Sequence, residues 1–119
     1  MREPEMKERR RLPRRHLMFH LRVFDTTTGE HVGNLFDISH DGIMLVGEEP
    51  LPVGERRSLE MHLPVEVFGR GRIGFAATPA WSSNDIQPEL YDIGLGKLRM
   101  EDADRAVLER LIAEYGTVE

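Results

Sequence analysis

Hydrophobic and polar residues alternate over most of the chain, which is the pattern of short β-strands with one buried face. Phe19, Leu21 and Val23 share one face of a segment that begins near residue 17, and this spacing predicts a strand. Glycine-rich and proline-rich turns separate five further segments of strand character. These are residues 31–39, 42–47, 57–68, 72–81 and 90–98.

Pro64 interrupts the segment 57–68. The residues before it have a period of two, and Val65 and Val67 continue that period after it. Because proline cannot donate a backbone hydrogen bond to a sheet, the pattern predicts either an edge strand or two strands joined by a kink.

One amphipathic helix is predicted at about 101–115. Acidic residues lie in or before its first turn, where the helix dipole favours negative charge. Gly116 stands where a glycine is expected to end the helix. The apolar residues form a single stripe at helical spacing, namely Val107, Leu108, Leu111, Ile112 and Tyr115.

Six or seven short strands followed by one helix predict a mainly β fold, an antiparallel barrel packed by a C-terminal helix. With 119 residues the chain fits one domain. We predict a flexible arginine-rich arm over residues 1–15 and a barrel domain over 16–116. No cysteine is present, and no apolar run has the length that crosses a bilayer. The charged N-terminus lacks the apolar part of a secretory signal, so we expect a cytoplasmic protein without membrane insertion.

Charge is distributed unevenly along the chain. Residues 1–22 carry a net charge of +5, whereas the other 97 residues carry −10. A protein that binds DNA or RNA usually spreads its basic residues over a whole face, since each neutralised phosphate adds affinity. An acidic body would repel a long polyanion, so neither DNA nor RNA is expected as a partner. A small, doubly charged ligand held at one spot fits the imbalance better.

The positive charge is concentrated in ERRRLPRR at 8–15. Pro13 opposes a continuous helix, so the segment is expected to be a bent arm. Guanidinium groups are planar and bidentate, and they bind phosphates, pair with the O6/N7 edge of guanine or stack on a base. Taken alone, the segment is also compatible with a solvated basic tail.

DISHDG at 37–42 is the second candidate element. Asp37 ends an apolar strand, and Ser39, two residues on, points to the same side. Gly42 permits a positive φ or the close approach of a ligand. A carboxylate can accept two hydrogen bonds from the N1–H and N2–H₂ edge of guanine, and a serine hydroxyl can donate to a phosphate. A purely structural turn between two strands is the alternative interpretation.

Together the two elements resemble the PilZ domain family. ERRRLPR at 8–14 is similar to the N-terminal arginine motif of that family, and DISHDG matches its D/N-x-S-x-x-G motif at every specified position. GIMLV, APAW and YDIGL also lie where similar PilZ sequences have them. The resemblance extends from about Glu8 to Tyr115. It implies a six-stranded antiparallel barrel with a C-terminal helix, which binds the bacterial second messenger cyclic di-GMP.

The resemblance also implies particular ligand-binding residues. Two motif arginines, Arg10 and Arg14, would surround the guanine and phosphates together with Asp37, Ser39 and Gly42. Arg9 precedes the first motif arginine, as in members that bind a stacked pair of ligands. Arg11 and Arg15 have the same spacing as Arg10 and Arg14, so the register is not unique. The family often has an aromatic residue about two positions after the glycine of the last strand, and IGLGKL here has none.

Other residues are weaker candidates. Trp81 either stacks on a ligand base or caps the barrel core, and the core is the preferred interpretation. Ser39, His40 and Asp41 are adjacent and cannot form a catalytic triad. The five histidines have no metal-binding spacing, and neither an enzyme activity, a metal nor a cofactor is expected.

The favoured function is therefore a cyclic di-GMP receptor whose ordered arm signals to an unidentified effector protein. The alternative is an interaction adaptor of the same fold that binds no nucleotide. A nucleic-acid-binding barrel is the less favoured third interpretation.

Overall fold

The fold is a closed antiparallel β-barrel with a helix across one end, as the computed structural model shows. It describes residues 15–17, 21–38, 42–85 and 88–118. The strands are β1 (Arg15–Leu17), β2 (Arg22–Asp25), β3 (His31–Ile38), β4 (Gly42–Gly47), β5 (Arg57–His62), β6 (Arg72–Ser83), β7 (Tyr91–Arg99) and β8 (Gly116–Val118). The helices are α1 (Val65–Phe68) and α2 (Asp102–Tyr115).

Six strands close the barrel in the order β2, β5, β6, β7, β4, β3, and β3 pairs again with β2. The remaining strands extend the sheet, since β1 pairs with β3 and β8 pairs with β1. The predicted six-stranded antiparallel barrel with a C-terminal helix is therefore confirmed. β8, which follows the helix, was not predicted from the sequence. Phe19 and residues 1–14 lie outside the described residues.

The barrel interior is filled by the alternating apolar residues of the strands. Leu35, Leu45 and Ile93 face one another across three neighbouring strands and are completely buried. Three residues of α2, Leu108, Leu111 and Ile112, belong to the same core cluster. The predicted helix boundaries were correct to within one residue, and the helix closes the barrel by covering an open end of its core.

The segment after Pro64 is a correction. Val65 and Val67 do not continue a strand, because residues 65–68 form one helical turn, α1. Pro64 occupies the position before this turn, where its missing amide hydrogen costs nothing. Gly69 ends the turn in the left-handed conformation, with φ 74°, which glycine adopts without strain.

The hairpin between β2 and β3 is closed by a buried carboxylate, Asp25. It accepts hydrogen bonds from the backbone amides of Thr27 (2.7 Å) and Thr28 (3.2 Å) and from the Arg57 guanidinium (2.9 Å). Burial by itself raises the pKa of Asp25, but these hydrogen bonds and the charge of Arg57 outweigh it, so the pKa lies below its usual value. The carboxylate thus stabilises the fold in its ionised form.

The C-terminal helix is attached to α1 and the following turn by two contacts. Arg70 forms an ion pair with Asp104 of α2. Arg110 of the same helix lies over the ring of Phe68, 5.2 Å from its centroid. These contacts hold α2 against α1 and the turn that follows it.

Candidate functional site

The register of β1 joins the two candidate elements. Arg15 pairs with Ile38, and His16 pairs with Asp37. Arg15 is also the last residue of ERRRLPRR. The root of the arginine arm is therefore next to the first residues of DISHDG.

Asp37 has a position that simple alternation does not predict. Leu35 pairs with Leu45 while Asp37 pairs with Met44, so Phe36 is an extra residue in a β-bulge. Because directly opposed residues share a face of the sheet, Asp37 lies on the outer face with Met44. Its carboxylate is nonetheless completely buried, with an exposed fraction of 0%. Asp37 is thus one of two buried charged residues in the described part of the chain, and the other is Asp25.

Gly42 lies at the start of β4 and pairs with Gly96 of β7. A Cβ atom at position 42 would lie 2.9 Å from the carbonyl oxygen of Leu95, so the close approach of two strands accounts for this glycine. Positive φ, the other explanation offered for Gly42, is not observed, because the glycines with positive φ are Gly29, Gly54 and Gly69.

Trp81 is placed differently from the preferred sequence interpretation. It is half-buried and does not belong to the core cluster. A second bulge, between Pro79 and Trp81, pairs Trp81 with Gly94. The indole lies on the outer face of Gly94, where a Cβ atom would be 2.3 Å from Cε2 and Nε1 of the ring. The prediction that Trp81 packs in the core is therefore wrong, and its stacking on a ligand stays a prediction.

One row of residues crosses the outer face of four neighbouring strands. Successive pairings place Asp37 opposite Met44, Met44 opposite Gly94, and Gly94 opposite Trp81. We call these four residues the outer row. Gly94 has no side chain and Met44 is buried, so the row between the carboxylate and the indole is apolar. An apolar row of this kind can pack against a flat aromatic ring.

The outer row includes two residues that the sequence reasoning missed, Met44 and Gly94. Their roles depend on the two bulges in β3 and β6, which change the faces of Asp37 and Trp81. The sequence YDIGL did contain a signal for Gly94, since a glycine inside a strand often marks the close approach of another group.

The remaining predicted residues, Arg9, Arg10, Arg14 and Ser39, lie outside the described residues. The structure therefore gives no geometry for the arginine arm or for the serine of DISHDG. Arg15, the alternative second arginine, is in β1.

A large cleft lies elsewhere, at the opposite end of the β3–β4 hairpin. Its volume is about 920 Å³. The carboxylates of Glu30, Glu48 and Glu49 line it, and its guanidinium, Arg57, is already bound to Asp25. An anionic ligand would be repelled there, so we do not assign the cleft to a phosphate-containing ligand.

The described residues contain neither a metal-binding cluster nor a helix that could cross a membrane. No three His, Asp or Glu side chains among them are arranged to hold a metal ion. Neither α1 nor α2 is long and apolar enough to cross a membrane, and these are the helices of the described chain.

Comparison with known proteins identifies the family. The family model described as PilZ domain matches residues 8–114, and the chain therefore belongs to the PilZ domain family. A solved structure, that of the Bacillus subtilis inhibitor of motility (MotI/DgrA), is similar with a TM-score of 0.65 and 25% sequence identity. The match covers 88% of this chain and 50% of that one, so this chain spans about half the length of its structural neighbour. No curated protein matches.

Proposed function

We propose that this chain is a non-enzymatic receptor for cyclic di-GMP, which it binds between the arginine arm and the outer row. The observation that carries the proposal is the pairing of β1 with β3, because it brings the root of the arm beside the buried Asp37. Membership of the PilZ domain family supports the same ligand.

Each part of the site has chemistry that suits one part of the ligand. The Asp37 carboxylate would accept hydrogen bonds from the N1–H and N2–H₂ edge of a guanine. Arg10 and Arg14 would bind the two phosphates and the O6/N7 edge, with Ser39 donating to a phosphate. Trp81 lies at the other end of the outer row, where stacking of an aromatic ring on a base contributes about 1–3 kcal/mol.

The arm gives the receptor its switch. Ordering costs about 1–2 kcal/mol for each residue whose backbone becomes fixed, and a charge-assisted hydrogen bond returns about 1.5–3 kcal/mol. Several arginine contacts are therefore needed, which the cluster of arginines at 9–15 can supply. We infer that Arg9 decides between one ligand and a stacked pair, and that the ordered arm presents a new surface to an effector protein.

Isothermal titration with cyclic di-GMP tests the proposal. We expect saturable binding by the wild-type protein and a loss of at least tenfold in affinity for Arg14→Ala and Asp37→Ala, since each removes a charged partner of the ligand. Arg56→Ala is the control, because Arg56 is an exposed arginine just before β5.

The controls separate folding from binding. Asp37 is completely buried, so circular dichroism must show that the Asp37→Ala protein is folded, and Arg14→Ala tests the site independently of that residue. Failure of the wild-type protein to bind would leave the nucleotide-free adaptor as the better description. Equal binding by wild type and Arg14→Ala would show that the arm is not part of the site.

A further inference from the structure

β7 leaves regular strand geometry beside the candidate site. Ala76 of β6 pairs with Arg99, and Thr78 pairs with Gly96, so one residue of β6 opposes two of β7. Lys97 is one of these two, and its φ is 53°. In the described part of the chain it is the sole non-glycine residue with positive φ. Lysine is disfavoured in this region because its Cβ crowds the backbone, whereas glycine would adopt it freely.

The bulge places Lys97 at the surface next to the motif glycine. Gly96 pairs with Gly42, Leu98 returns to the core, and Lys97 between them is exposed. Gly96 precedes Lys97 in the chain and pairs with Gly42 across the sheet, so the Cα atoms of Lys97 and Gly42 lie within about 10 Å of each other. A Cβ atom at Gly96 would meet nothing within 4 Å, so the space at the Gly96 position beside Lys97 is open.

The ammonium group of Lys97 is also available. It makes no hydrogen bond or ion pair with another residue of the described chain. Arg57 and Arg70, by contrast, are paired with Asp25 and Asp104. A cation without a partner, in a backbone conformation that its residue type disfavours, is a feature that often accompanies a binding function.

We propose that Lys97 is a further ligand-binding residue, which contacts a phosphate of cyclic di-GMP from the β7 side of the site. This inference rests on the proposed function. Lys97 acts as a point charge, so its contribution depends on ionic strength.

Titration of Lys97 variants with cyclic di-GMP tests the inference. At low salt we expect Lys97→Gln to raise the Kd by roughly three- to tenfold, whereas Lys97→Arg stays within about twofold of wild type. Arg56→Gln is the matched control, with the same change of charge at an exposed arginine before β5. At about 1 M salt, where the Debye length is roughly 3 Å, the difference between wild type and Lys97→Gln should largely disappear.

Lys97→Gly separates the ligand contact from the backbone geometry. Glycine relieves the disfavoured φ, so this variant should unfold at a higher temperature than wild type and yet bind as weakly as Lys97→Gln. The inference is overturned if Lys97→Gln binds like Arg56→Gln, or if its loss of affinity does not depend on salt. If the wild-type protein binds no cyclic di-GMP, the proposed function fails, and this inference fails with it.

Discussion

The packing of Trp81 on Gly94 makes a sharp prediction about the outer row. A methyl group at position 94 would lie 2.3 Å from two atoms of the indole and 2.8 Å from a third. Ordinary contacts begin near 3.4 Å, so the ring in Gly94→Ala must move by about 1 Å or more. Displacements of this kind cost about 1–3 kcal/mol, and we expect the free energy of unfolding to fall by that amount.

A double-mutant cycle isolates this contact. In a Trp81→Ala background the methyl group has room, and alanine is favoured over glycine in a strand by about 0.5–1 kcal/mol, so Gly94→Ala should be neutral or slightly stabilising there. The coupling energy between the two positions should therefore be about 1–3 kcal/mol. Urea unfolding followed by far-ultraviolet circular dichroism measures all four proteins without depending on the tryptophan.

Gly96→Ala is the matched control, since it lies two residues away in the same strand and its added Cβ would meet nothing within 4 Å. We expect a change within about 0.5 kcal/mol. Because the chain has one tryptophan, the fluorescence emission of Gly94→Ala also reports directly on the displaced indole. Equal destabilisation by Gly94→Ala in both backgrounds would refute the placement of Trp81 on Gly94.

Three further predictions concern the fold that supports the site. Asp25→Ala removes the acceptor of two backbone amides and leaves Arg57 without its partner, so we expect a loss of about 2–4 kcal/mol in urea unfolding. The pKa of Asp25 is lowered in the folded state, so its contribution to wild-type stability is complete above the unfolded pKa and is lost as the pH falls through the folded one. Urea unfolding of the wild-type protein measured from pH 6 to pH 2 should show this acid-dependent loss of stability. An Asp25→Ala protein with the same acid sensitivity as wild type would contradict the prediction. Gly69→Ala should lower the free energy of unfolding by about 1 kcal/mol, because φ is 74° at this position. Gly71→Ala is the control and should change it very little, since Gly71 has open space for a Cβ atom and no positive φ. Equal effects of the two substitutions would contradict the assignment of the left-handed cap. Leu111→Ala should lower the free energy of unfolding by about 2–5 kcal/mol, because Leu111 is completely buried where α2 packs on the barrel. A thermal unfolding midpoint equal to that of wild type would show that the helix does not pack there.

Residue spacing predicted the elements of this fold well where one period holds throughout. Leu108, Leu111 and Ile112 form the buried stripe of α2, and the helix ends where Gly116 was expected to end it. The alternation of Ile73, Phe75 and Ala77 likewise gave the core face of β6. The PilZ domain family, predicted from the order and spacing of two motifs, is confirmed.

Residue spacing failed to predict which face a side chain occupies where a bulge breaks the period of a strand. Bulges at Phe36 and before Trp81 shift the register by one residue, and a shift of one residue moves a side chain to the other face of the sheet. The sequence carries no clear mark of these bulges, so neither the outer row nor the position of Trp81 could be predicted. Pro64 marks an interruption, but Val65 and Val67 continue the period of two after it, and this spacing favours a strand over the helical turn that forms there.

The most direct test of the central claim is a titration of isotopically labelled protein with cyclic di-GMP, followed by two-dimensional amide NMR. We expect saturable shifts that centre on Asp37, Gly42 and Gly94, accompanied by a shift of the Trp81 indole N–H signal. The amides of Glu48 and Glu49 in the acidic cleft should change little. The absence of saturable shifts, or shifts that centre on the cleft, would contradict it.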